Sequence, residues 1–101
     1  MTDVADDTVA ERISAVNSSL ERAARDARWD AVAPLLSQRE HLLASLPDAR
    51  RREALVDCHR VTRQVLQLAR EARRAVSEQL CGLKKGRAAA DAYTAARNEQ
   101  I

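Results

Sequence analysis

From Val9 onward, apolar residues recur at alternating steps of four and three: Val9, Ile13, Val16, Leu20, Ala23 and Ala27. That spacing keeps one side of a helix apolar and predicts a packed seam. Thr8 and Glu11, three residues apart, predict a capping box at its start. Asp3, Asp6 and Asp7 suit the positive end of such a helix. Glu21 and Arg25 form a favourable i,i+4 pair on its wet side. The pattern breaks at Ala27-Arg28-Trp29-Asp30. Asp30 is the expected cap of a second helix, and Pro34 is expected in its first turn, where a missing N–H costs little. Val32, Leu35, Leu36, Leu42, Leu43 and Leu46 face inward. Leu46-Pro47-Asp48 supplies a stop, a turn and a new cap. Trp29, the single tryptophan of the chain, is placed to fix the angle between the first two helices.

A third helix is predicted from Ala49 to Leu83, roughly 50 Å long. Its seam reads Leu55, Cys58, Thr62, Val65, Ala69, Ala72, Val76, Leu80 and Leu83, widened by Leu66 and Leu68. Arg60, Arg63, Gln67, Arg70 and Arg74 form a separate polar stripe. Gly82 and the run Lys84-Lys85-Gly86 mark its end, with cations in the last turn and a glycine beyond. The tail from Arg87 to Glu99 is rich in alanine, with Tyr93 as its large side chain. Helix propensity is high there and apolar bulk low, so it is expected to dock weakly. The predicted fold class is all-α: an antiparallel three-helix bundle with a long third helix and a weakly docked C-terminal fourth helix. The chain reads as one domain, residues 1–101, with a disordered acidic N-terminus over 1–7 and a mobile C-terminal helix over 87–101.

Composition agrees with helices. Glycine and proline number two each, and charged residues make up 32%. Residues 1–30 hold seven acidic and four basic side chains, whereas residues 31–101 hold eight and thirteen. This asymmetry permits an acidic partner but is too weak to demand nucleic acid. Cys58 and Cys81 would lie roughly 35 Å apart on one helix, so they cannot pair within the chain, and both are expected as small buried residues. The acidic N-terminus lacks the apolar core of a signal peptide, and no apolar run is long enough to span a membrane. The expected location is cytoplasmic.

Chemistry is hard to find. His41 and His59 lack a second histidine or a cysteine three or four residues away, and the adjacent Cys58 and His59 project differently. No glycine-rich phosphate loop occurs, and the serines lack a base constellation. No enzyme activity, metal or cofactor is expected. Arg50-Arg51-Arg52 crowd the first turn of the third helix, where the helix dipole disfavours cations, and Arg70 and Arg74 are like charges at i,i+4. Charges placed against local preference mark a candidate partner surface, set against the simpler reading of a solvated face.

Residues Ala24 to Leu46 resemble the helix-turn-helix segment of the FliT-type flagellar export chaperones. Trp29 and Asp30 stand at the turn, and Arg39 precedes the Leu42-Leu43 pair. The long third helix and Ala92-Tyr93 match in order and spacing. Arg28 departs from the family, which often has a small residue, usually glycine, before the tryptophan. The resemblance implies a helical chaperone for the filament-cap protein, which holds an amphipathic helix of that client and prevents its premature assembly. It also implies contact with export apparatus components, to which Tyr93 is assigned, and for some members a flagellar transcriptional regulator.

The expected client surface is Val65, Leu68, Val76, Leu80 and Leu83, with Arg70 and Arg74 selecting acidic client positions. Neither direct nucleic-acid binding nor membrane insertion is expected. The alternative is a non-enzymatic regulatory or structural helical protein that self-associates as a homodimer or binds a transcriptional regulator.

Overall fold

The structure is a computed structural model that describes residues 4–99. It contains α1 (Val4–Arg25), α2 (Trp29–Ala44) and α3 (Asp48–Glu99), with no strand among the described residues. Residues 1–3 of the expected acidic N-terminal segment, and Gln100 and Ile101 of the tail, lie outside the described residues.

Several boundaries differ from those the spacing predicts. α1 begins at Val4, so Thr8 lies inside it and the capping box does not form. The Thr8 hydroxyl instead donates to the carbonyl of Val4 at 3.0 Å, a local bond open to threonine within a helix. Asp6 and Asp7 lie in the first turn, where the dipole favours them. α2 begins at Trp29, and no side chain caps it. Asp30 therefore acts as a first-turn charge, and Pro34 lies in the second turn. There it removes the N–H that would bond the Asp30 carbonyl.

The α1–α2 turn explains this early start. Ala27 is left-handed, with φ 57°. The Arg28 N–H donates to Ala23 O at 2.8 Å and the Ala27 N–H to Ala24 O at 3.2 Å. This pair of bonds is a Schellman motif, which closes the end of α1 and frees the chain for a new helix two residues later. Alanine holds the left-handed position against its Cβ preference, a cost of about 1–2 kcal/mol.

Two of the three consecutive arginines are consumed by the fold. Arg51 covers the end of α2, donating to Leu43 O at 2.9 Å, Leu46 O at 2.8 Å and Ala44 O at 3.3 Å. It thereby satisfies carbonyls that the helix end leaves free. Arg50 pairs with Asp7 of α1. Arg52 alone is exposed.

α3 does not stop at Gly86. It runs 52 residues, and the expected fourth helix is its continuation. Both glycines keep helical backbone, since neither has a positive φ. Each costs about 1 kcal/mol relative to alanine. The alanine-rich stretch beyond restores propensity, so the cations and glycine do not form a terminus.

The chain divides into two compact units between Ala69 and Arg70. In the first, Val16, Leu20 and Ala24 of α1 pack with Val61 and Val65 of α3, against Trp29, Val32, Leu35 and Leu42 of α2. A second cluster joins Ile13, Leu46 and Cys58. Rising numbers in α1 meet rising numbers in α3 and falling numbers in α2, so within this unit α1 and α3 run one way and α2 the other. Trp29 is half-buried and packs on the first cluster. Leu20 and Val61 are fully buried. The α3 core thus runs through Ala54, Cys58, Val61, Val65 and Leu68. The expected seam chose Leu55 and Thr62; Leu55 is 44% exposed and Thr62 half-buried. Leu36, expected inward, is exposed.

A polar network crosses this core. Asn17 is buried and donates to Asp57 Oδ2 at 3.1 Å and to Cys58 Sγ at 3.6 Å. Arg39 donates to Asn17 Oδ1 at 3.0 Å, Cys58 O at 3.2 Å and Thr62 Oγ1 at 2.6 Å. Among the described residues no buried side-chain N or O lacks a partner. A fully satisfied network of this kind is sensitive to any slip of one helix along another. Arg39, singled out in the sequence by its place before Leu42-Leu43, therefore sets the register of all three helices.

The described residues of the second unit form a single stretch of helix. Every described residue from 73 to 98 is exposed.

Candidate functional site

Val76, Leu80 and Leu83 stand at steps of four and three on α3 and are 53%, 54% and 70% exposed. This is an apolar helix stripe with no cover among the described residues, the pattern of a helix-binding surface. Val65 and Leu68, expected on the same surface, belong to the core of the first unit, where Val65 is buried and Leu68 packs against the central cluster. Val65 is therefore not available to a client in this structure, and Leu68 only in part.

Arg70 and Arg74 are exposed, but the helix does not bring them to the stripe. At about 100° per residue, Arg74 stands on the far side from Val76, two residues on. The cations that flank the stripe are Arg73, which lies within about 20° of Leu80 around the axis, and Arg87, one turn beyond Leu83. The sequence reading missed both, because it grouped arginines with each other rather than with the apolar positions beside them.

Tyr93 is 71% exposed. It lies ten residues past Leu83, about 15 Å along the helix and about 80° around it. It therefore stands apart from the stripe. Gly82 and Gly86 leave an open hollow of about 880 Å³, bounded also by Gln79, Leu83 and Arg87. A Cβ added at either glycine would meet no atom within 4 Å.

Outside this region, one set of ion pairs joins α3 to α1. Arg60 joins Asp57 at 2.8 Å and Glu21 of α1 at 3.1 Å. The hydrogen bond and charge of Asp57, reinforced by Glu21 against desolvation, raise the Arg60 guanidinium above its usual value. Glu21 also meets Arg25, at 3.8 Å. Cys58 is buried as expected, but Cys81 is exposed, because it lies on the bare part of α3. Among the described residues, no group of three or more histidine, cysteine or acidic side chains could hold a metal ion. No described helix is long and apolar enough to cross a membrane.

No curated protein and no solved structure matches the chain. The family described as Flagellar protein FliT matches it over residues 8–95. The match takes in the Schellman turn, Trp29, the Arg39 network, the bare stripe and Tyr93. The chain belongs to the FliT family of flagellar proteins.

Proposed function

We propose that this FliT-family chain, a flagellar export chaperone by family, binds an amphipathic helix of the filament-cap protein and prevents its premature assembly in the cytoplasm. The observation that carries this reading is the uncovered stripe of Val76, Leu80 and Leu83 in a chain of that family. An amphipathic client helix would seat its apolar face on the stripe. Arg73 and Arg87 would meet acidic client positions at its margins. Tyr93, set apart along α3, would serve a different partner, the export apparatus.

Titration with a peptide from the cap protein's C-terminal helix tests the reading. Binding should be lost in a Val76→Ser, Leu80→Ser double variant and kept in Tyr93→Ala, which should lower export alone. Equal affinity of parent and double variant would refute the client surface. Light scattering over a concentration range addresses self-association: a stable dimer that buries the stripe would displace the client reading.

A further inference from the structure

α3 carries a second seam. Its core positions, Ala54, Cys58, Val61, Val65 and Leu68, follow steps of four and three. Displaced by two residues, the same steps pick out Arg52, Val56, His59, Arg63 and Leu66, all of them exposed. Contacts mark the two flanks of this outer face. Arg39 of α2 reaches Thr62 on one side, and Glu21 of α1 holds Arg60 on the other.

The face is unlike one that meets only water. Val56 is 74% exposed and Leu66 49%, with Leu55 at the margin. A solvent-facing stripe ordinarily carries polar residues at such positions. Its basic side chains are also unspent: those of Arg52, His59 and Arg63 make no hydrogen bond or ion pair among the described residues. Arg39, Arg50, Arg51 and Arg60 are all engaged. The acids of this stretch lie elsewhere on the helix. Glu53 meets Arg50, and Asp57 meets Asn17 and Arg60. The face is thus apolar and basic with no acid of its own. It includes an open hollow of about 350 Å³ beside Val56, His59 and Arg63.

We propose that this outer face of α3 docks an acidic amphipathic helix of a partner protein. Steps of four and three suit a second helix crossing at a shallow angle. Val56 and Leu66 would each receive an apolar side chain, and Arg52 and Arg63 would pair with carboxylates beside it. Such charge complementarity sets partner choice and association rate. The face ends at Leu66 and shares no residue with the stripe at Val76 to Leu83, so the two assignments stand or fall separately.

The test uses the full chain and a designed helical peptide with leucines at steps of four and three, flanked by glutamates. A copy with lysines in place of the glutamates is the control. In a nuclear magnetic resonance titration the acidic peptide should shift the amides of Val56, His59, Arg63 and Leu66. An Arg52→Glu, Arg63→Glu variant, altered only at exposed positions, should weaken binding about tenfold or more. Val76→Ser with Leu80→Ser should leave it unchanged, and the lysine copy should not bind. The proposal is overturned if the acidic peptide fails to bind, if it binds the charge-reversed variant equally, or if its shifts map to Val76–Leu83. It is also overturned if single-stranded DNA binds this face more tightly than the peptide, with affinity falling steeply with salt.

Discussion

Between Ala54 and Leu68, α3 buries Cys58, Val61 and Val65; between Val76 and Tyr93, every residue is exposed. Both stretches are helical, and both carry apolar side chains at steps of four and three. What differs is the supply of neighbours. α1 has 22 residues and α2 has 16, against 52 in α3. The described chain has no further helix to place against the rest. A periodic pattern therefore says that a helix has an apolar side, but not whether the same chain covers it.

One substitution made in both regions gives the largest expected contrast. Leu20→Ala removes a fully buried side chain and should cost about 3 kcal/mol or more in urea unfolding. Leu80→Ala should change the same measurement by about 0.5 kcal/mol or less, because the side chain is already half in water. Similar costs at the two sites would mean that the bare stripe is covered in solution. Next comes Arg39→Met, which leaves Asn17 Oδ1 and Thr62 Oγ1 without their guanidinium donor. A loss of about 2 kcal/mol is expected. No loss would remove the register role assigned to the network.

A smaller change of opposite sign is expected at the α1–α2 turn. Ala27→Gly relieves the left-handed alanine and should raise stability by about 0.5–1 kcal/mol. The smallest effect on global unfolding belongs to Gly82→Ala with Gly86→Ala. Both sites have open space, so each change should strengthen the local helix by about 1 kcal/mol. Amide exchange around Leu83 should slow while the urea midpoint stays put. A shifted midpoint would show that the two regions unfold together.

Much of the core is legible in the order of residues. The α1 seam from Ile13 to Leu20 follows from spacing alone, as does the inward set Val32, Leu35 and Leu42. On α3 the pattern offers two neighbouring seams. Steps of four and three that start from Leu55 rather than Ala54 select Thr62 over Val61, and packing selects Val61. The polar network is not legible at all, because Asn17, Arg39 and Thr62 become partners only through tertiary packing. The end of α3 misleads for a different reason. Lysines followed by glycine describe a helix terminus only when the glycine turns left-handed, and Gly86 does not. On the candidate surface, Val76, Leu80 and Leu83 stand out by their spacing. Arg73 and Arg87 need the helical angle as well.

Gly82 and Gly86 place the two weakest links of α3 one turn apart, in a stretch held by no core. A helix without tertiary support melts gradually and from its end, whereas a packed core gives way in one step. Warming should therefore shorten α3 from its C-terminus by degrees while the residues around Leu20 and Val61 stay folded. Tyr93 rides on the part that shortens first. Temperature then sets how often that tyrosine is offered on a rigid helix and how often on a loose strand of chain.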